Sequence, residues 1–312
     1  MKEAILIGTG LVGSEIQRLG KGSLRIKYLL RTTGIYSESG DKLTTLSELP
    51  KYTDVDIAII AIPTLDNGER AFEYLLHFLK KGVPVVTCEK GALANFFPEL
   101  KPYLRSVGYS ATVGGGTRMI PFLQGYDNKK IESILAVING TLNYIGSQIA
   151  AGEEPRAAVT QAIENGYTEP GPTGLIALIN NEMQDVLLKC IILANTFNKD
   201  FELRASNVPW EPISESQLEE IASNSKTLRC QLSISKSRPA SRIGGFLLKE
   251  GDWYIAAGFM PIERLGSNVS LGVENILIIK GSDGERVLRG PGAGKTPTAL
   301  SMLEDVMGLL GE

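Results

Sequence analysis

The sequence predicts an α/β fold in two parts: a doubly wound parallel sheet, then an α+β part with an antiparallel sheet. Three observations lead there. Residues 3–7 are a short apolar run that enters Gly8-Thr9-Gly10-Leu11-Val12-Gly13 and then a helical stretch to about residue 19. Apolar runs and amphipathic stretches alternate from there to about residue 127, the pattern of strands joined by crossover helices. From Leu228 to Leu288 short apolar runs alternate with turns such as Glu250-Gly251-Asp252, the pattern of an antiparallel sheet.

Taken in order, a second strand is expected at Ile26–Leu30. A third is expected at Asp56–Ile62, almost continuously apolar as a strand covered on both faces should be. Residues 66–81 read as a crossover helix stopped by Gly82, and Val83–Thr87 as the fourth strand. Residues 94–106 read as helix despite Pro98 and Pro102, and Tyr109–Thr112 as a short fifth strand. Beyond residue 128 come a strand at Lys130–Ile138 and helices at 141–151, 155–165, 175–197 and 215–223; Pro155 opens the second of these and Gly166 stops it. Thr298–Leu310 is a final amphipathic helix. The expected organisation is a dinucleotide-binding domain over 1–127, a substrate and dimerisation domain over 128–295, and a helix within 296–312 that packs back on the first domain.

Composition narrows the function. With 43% hydrophobic and 21% charged residues in 312, sizeable cores are available, and a net charge of −3 gives no electrostatic footprint for nucleic acid. The first residues run straight into a strand, so no signal peptide is expected. No apolar run reaches the roughly 18 residues of a membrane span. The nearest, Val186–Ala194, is interrupted by Lys189. Cys88, Cys190 and Cys230 are too far apart for a disulfide framework or a zinc site, so no metal is expected and the protein reads as reduced and cytoplasmic.

The glycine run is the first chemical signal. Gly8 suits a tight turn, Gly10 lets backbone approach a pyrophosphate, and Gly13 lets helix approach strand. Following a strand and opening a helix, Gly8–Gly13 reads as a dinucleotide site on a Rossmann-like sheet, with Thr9, Leu11 and Val12 beside the ligand. At the end of the second strand stands Arg31, with no carboxylate before Glu38, which favours NADP over NAD; NAD stays possible, and Arg31 could equally be a solvated strand-end charge. Pro63-Thr64 ends the third strand, where ligands of such sheets bind, and Lys90 follows the fourth, either in the same crevice or in solvent.

Further along, Glu182, Asp185 and Lys189 share one helix face. Surface ion pairs are the common case, but Val186, Leu187, Leu188, Cys190, Ile191, Ile192 and Leu193 surround this lysine with apolar neighbours, so it should face a cavity or a buried partner. A half-buried lysine beside a carboxylate can donate a proton to a developing alkoxide, and His77 is the only histidine, so an imidazole acid is nearly excluded. Gly290-Pro291-Gly292-Ala293-Gly294-Lys295-Thr296 fails the phosphate-loop spacing, because the first glycine would fall on Arg289; it reads instead as a close-approach turn bordering the cleft, with Gly292 against the cofactor.

These runs, with Ala111–Gly116, Asn139–Tyr144 and Gly166-Tyr167-Thr168-Glu169-Pro170, resemble homoserine dehydrogenase in its short form without a regulatory domain. They occur in the family's order and span nearly the full chain. The resemblance implies reversible, NADPH- or NADH-dependent reduction of L-aspartate 4-semialdehyde to L-homoserine, on the route to threonine, methionine and isoleucine, by a homodimer. It implies Lys189 as the catalytic lysine, Lys90 as the second lysine of the active site, and Glu169 and Asp185 as substrate-binding acids. The chain departs from the family pattern where residues 173–184 replace a shorter, acid-rich turn, where Glu89 replaces asparagine, and where Ser110 replaces glutamate. Two other readings stand beside this one: a non-catalytic NADP-binding sensor, and a reductase of the same fold acting on another small aldehyde or amino acid.

Overall fold

The structure, a computed structural model, describes residues 1–168, 174–239, 241–292 and 294–311. In chain order the elements begin with β1 (Lys2–Ile7), α1 (Leu11–Leu19), β2 (Leu24–Arg31), β3 (Gly34–Ser37), β4 (Lys42–Thr44), β5 (Ile57–Ile60) and α2 (Glu69–Leu79). They continue with β6 (Val85–Thr87), α3 (Lys90–Asn95), α4 (Phe97–Leu100), β7 (Val107–Gly108), α5 (Met119–Gln124), β8 (Ile131–Val137), α6 (Gly140–Ala150), α7 (Pro155–Glu164) and α8 (Leu175–Phe197). The last are α9 (Glu215–Ser223), β9 (Leu228–Ser235), β10 (Ile243–Glu250), β11 (Trp253–Pro261), β12 (Glu274–Gly281), β13 (Gly284–Pro291) and α10 (Lys295–Leu310). The chain divides into two compact units, Met1–Ile120 with Gly294–Glu312, and Pro121–Ala293.

In the first unit the described strands form a seven-stranded sheet in the order β4-β3-β2-β1-β5-β6-β7. The five strands from β2 to β7 pair in parallel, and β5, with all four residues at 0% exposure, is covered on both faces as its unbroken apolar run requires. After β1 the chain crosses first to β2 on one side and later to β5 on the other. This reversal makes the carboxyl ends of β1 and β5 the switch point where such sheets bind ligands.

Three expectations need correction, and one pair of strands was not anticipated. The helix expected over 94–106 is broken: Phe96 leaves helical geometry, Pro98 opens α4, and Pro102 opens a 3-10 turn, because proline lacks the N–H a continuous helix needs. The strand expected at Tyr109–Thr112 is only Val107–Gly108; Ser110 N–H donates to Asp305 at 2.8 Å instead of a neighbouring strand, and Ser110–Thr112 turns as 3-10. The strand expected at Asp56–Ile62 is shorter, Ile57–Ile60, and the antiparallel edge pair β3 and β4 was not anticipated. Its turn is too short and polar for period-2 patterning to show.

Residues of α10 complete the core of this unit: Ala299, Met302 and Val306 pack with Ala4, Leu6, Ile57 and Ile59. Polar contacts fix the helix in place. Asp305 accepts from Ser110 N–H and, at 2.6 Å, from Ser110 Oγ, while Arg118 donates to the Ser301 carbonyl at 2.9 Å and pairs with Glu304 and Asp305.

In the second unit the described strands form a six-stranded antiparallel sheet, β10-β11-β9-β8-β12-β13. The 23-residue α8 lies against β9, β10 and β11, and the Cys190 thiol approaches the Ala256 carbonyl at 3.8 Å. Leu178 in its first turns packs with Ile145, Ala158, Val159 and Ala162 of α6 and α7. Leu178, Ile179 and Met183 thus bury the first turns of α8. Among the described residues no helix is long and apolar enough to cross a membrane.

One ion pair of the first unit yields a pH test. Glu15 is 5% exposed, and its carboxylate accepts from Arg18 at 2.7 Å and from Thr296 Oγ1 at 2.6 Å. Those bonds, Arg18's foremost, hold its carboxyl down at about 2 from an ordinary 4.5. A depressed folded value means the stabilisation is complete above 4.5 and is lost as pH falls toward 2. Glu15→Gln should therefore melt below wild type at neutral pH, and thermal melts should show the gap closing across that window; a gap independent of pH would show that the carboxylate's charge is not what stabilises.

Candidate active site

The glycine run lies at the switch point. Gly8 has φ +94°, and a Cβ there would stand 2.3 Å from the Ala61 carbonyl oxygen; a Cβ on Gly13 would stand 2.1 Å from the Gly8 carbonyl oxygen. Neither position can carry a side chain without moving backbone. At Gly10 the space is open: nothing lies within 4 Å of where a Cβ would be, and Leu11 is 77% exposed. Gly10 is also the N-cap of α1 with no side-chain capping bond, and the first turn carries no acid. Uncapped amides at the positive end of a helix dipole, in front of open space, suit a phosphate.

The contrast with α3 is instructive. There Glu89 is the N-cap, and its two oxygens accept from Gly91 N–H at 2.6 Å and Ala92 N–H at 2.8 Å, with Thr64 Oγ1 donating to the same carboxylate. That helix end is already occupied by a carboxylate of the chain. Glu89 is thus a cap, and it ties the exposed Pro63-Thr64 loop to the start of α3. Lys90, expected in the loop after the fourth strand, is the half-buried first residue of α3.

Arg31 ends β2, exposed, with its guanidinium 4.8 Å from the Tyr36 ring centroid. Tyr36 belongs to the unforeseen hairpin and shares a 2.6 Å hydrogen bond with Thr33. A cation stacked on an anchored ring is pre-oriented, at small entropic cost, for a second anion. The residues present thus fit a dinucleotide, with glycine-turn amides for the pyrophosphate and Arg31 for a 2′-phosphate.

In the second unit, Lys189 is buried at 9% exposure. Its Nζ lies 2.6 Å from Asp185 Oδ2 and donates to the Ile138 carbonyl at 3.0 Å. The sequence reading, which placed this lysine on a partner or cavity and not in solvent, agrees with that geometry. Ile138 can accept because β8 ends at Val137 and its carbonyl lies beyond the strand ladder. An ammonium has three N–H groups, so a third stays available to a ligand oxygen.

Asn139 is the residue whose part in this cluster the sequence did not reveal. Its Nδ2 donates to Glu182 Oε2 at 2.7 Å and to Asp185 Oδ2 at 3.2 Å, while its Oδ1 accepts from Leu142 N–H at 2.8 Å as the N-cap of α6. An asparagine just before a helical stretch is a capping signal, but nothing local announces its acidic partners 43 and 46 residues away. Glu182, Asp185 and Lys189 carry a formal net charge of −1, which suits a ligand bearing an ammonium. Thr141 Oγ1 donates to the Tyr167 carbonyl at 2.6 Å, and Tyr144 packs edge-on to Tyr167, so α6 also anchors the Gly166–Thr168 turn. Glu169, expected to bind substrate, lies outside the described residues. Gly292 follows β13, and a Cβ there would stand 2.4 Å from Asn275 Oδ1. Among the described residues no group of three His, Cys, Asp or Glu could hold a metal ion.

Asn139→Ala removes a cap and both carboxylate bonds, so urea unfolding of the second unit should lose about 1–2 kcal/mol. Asn139→Ser, which keeps the cap alone, should recover stability and leave ligand binding impaired. Equal binding by the two variants and wild type would detach Asn139 from the site.

Comparison with known proteins bears on what the cluster does. The family model described as homoserine dehydrogenase matches residues 120–307. The NAD(+)-dependent homoserine dehydrogenase of Pseudomonas canavaninivorans is 28% identical over 311 residues, covering 95% of this chain and 83% of the relative. The homoserine dehydrogenase of Synechocystis is 26% identical, covering 98% and 72%. A hyperthermophilic archaeal homoserine dehydrogenase solved with NADPH superposes with a TM-score of 0.75 over 99% of this chain and 97% of its own, at 19% identity, which is a likeness of fold.

Proposed function

The chain belongs to the homoserine dehydrogenase family, and from that premise we propose that it reversibly reduces L-aspartate 4-semialdehyde to L-homoserine, with Lys189 as proton donor. One observation carries the assignment: a buried ammonium held by one carboxylate and one backbone carbonyl, with an N–H to spare. A reduced nicotinamide, when bound, supplies the hydride.

The chain's own groups do the rest. Lys189 Nζ holds the proton that neutralises oxygen charge as the aldehyde becomes an alcohol, and takes it back in the reverse direction. Asp185 keeps Nζ aimed, and with Glu169 it receives the substrate's ammonium and orients its hydroxyl. Asn139 holds Glu182 and Asp185 together, so the carboxylates are positioned before substrate arrives. Lys90 is the second lysine of the site.

Gly8–Gly13, Pro63-Thr64 and Gly292 are the cofactor contacts in this reading. NADPH is favoured over NADH because Arg31 stands where a ribose-binding acid would otherwise be. The hyperthermophilic relative was solved with NADPH and the Pseudomonas relative is named NAD(+)-dependent, so the family uses both. The same reading includes a cytoplasmic homodimer on the biosynthetic route to threonine, methionine and isoleucine, resting on the family resemblance.

NADPH oxidation with aspartate semialdehyde tests this directly. Lys189→Ala should lower kcat by about a hundredfold or more while NADPH still binds. Undiminished turnover would remove Lys189 from the mechanism, and absent wild-type turnover with intact NADPH binding would favour a sensor. Arg31→Ala should raise KM for NADPH about tenfold and leave that for NADH nearly unchanged, a split that an uninvolved arginine would not produce.

A further inference from the structure

Asn275, at the start of β12, is 0% exposed, and among the described residues neither its Oδ1 nor its Nδ2 has a hydrogen-bond partner. Buried amides are almost always paired, so one left unmade at a site is a sign of function. Its place in the sheet says where it acts. On one side Asn275 is opposite Gly290 of β13. On the other, Ile276 pairs with Val137, so one step further along the same register Asn275 stands opposite Ile138. Ile138 is the residue whose carbonyl holds the Lys189 ammonium. Paired strands are about 4.8 Å apart and residues opposite one another project to the same face.

Continuing the β8–β9 register from Ala136 and Leu232 puts Cys230 opposite Ile138 from the other side. The row across this end of the sheet is therefore Cys230, Ile138, Asn275 and Gly290. Cys230 is buried at 5% exposure, and burial first, then the Asp185 and Glu182 carboxylates, push its thiol up to about 12. Gly292 seals the other end, since any Cβ there would meet Asn275 Oδ1, Cγ and Nδ2 within 2.7 Å.

We propose that Asn275 is a positioning residue of the Lys189 site, its uncharged carboxamide forming the floor beside the carbonyl that carries the ammonium. The proposal rests on Lys189 being the acid–base group. Among the described residues Asp185 pairs with Lys189, Asn139 joins Glu182 to Asp185, and Cys230 on β9, next to Arg229, feels both carboxylates; α6 carries no charged residue and one titratable group, Tyr144. A carboxylate at 275 would add a further counter-charge and keep the proton on Lys189. A hydrocarbon would offer no dipole to the ammonium. An amide avoids both.

The test is homoserine oxidation by the full chain followed against pH, since Lys189 must lose its proton to accept another. In Asn275→Asp the rise of kcat/KM should move upward by about one pH unit or more. In Asn275→Ser, which also decides the matter if the aspartate variant does not fold, kcat should fall about tenfold with KM for the cofactor unchanged. Folded variants whose pH profile and kcat match wild type would overturn the proposal while leaving Lys189 in place. A Lys189→Ala enzyme with full activity would instead overturn the assignment on which it rests.

Discussion

Burying the Lys189 ammonium is the constraint around which the second unit is organised. A charge removed from water is tolerable only with a counter-charge and its N–H groups satisfied. Asp185, one turn earlier on α8, supplies the counter-charge, and Ile138 supplies a carbonyl. That carbonyl is available only because β8 stops one residue sooner. The next residue, Asn139, begins α6 and reaches both acids of α8. Strand end, helix cap and ion pair are therefore one structure, and each would be out of place without the others.

The first unit solves a different problem: it leaves the end of α1 open toward free space and closes that of α3. Close backbone approach at Gly8 and Gly13 brings the start of α1 against the ends of β1 and β5 while its amides stay uncapped. Glu89 closes α3 in the same sheet. The uncapped α1 terminus, facing open space at Gly10, offers N–H groups and dipole to an anion. At the other edge, α10 is integral to the unit: its apolar face fills the core and Asp305 takes the hydrogen bonds of Ser110 that would otherwise extend a strand.

The departures from the family pattern find physical roles. Glu89 is a cap, Ser110 a donor to Asp305, and the apolar stretch after Gly174 the first turns of α8, packed on α6 and α7.

Local signals announced the glycine turn, Arg31, the long helix from residue 175 to 197 and the burial of Lys189, because each depends on spacing within one element or on composition along it. The sequence was also sufficient for the two-sheet architecture, since periodicity changes from covered parallel strands to alternating antiparallel ones. Tertiary structure decided the rest. It alone shows that Ile138 receives the ammonium, that Asn139 joins two acids more than forty residues away, and that the Asn275 amide is buried without a partner among the described residues. It alone turns Ser110 away from the sheet toward a helix 195 residues on. The reason is common to all four: a hydrogen bond's partner is chosen by the register of strands and the packing of helices, and neither leaves a trace in the residues beside it.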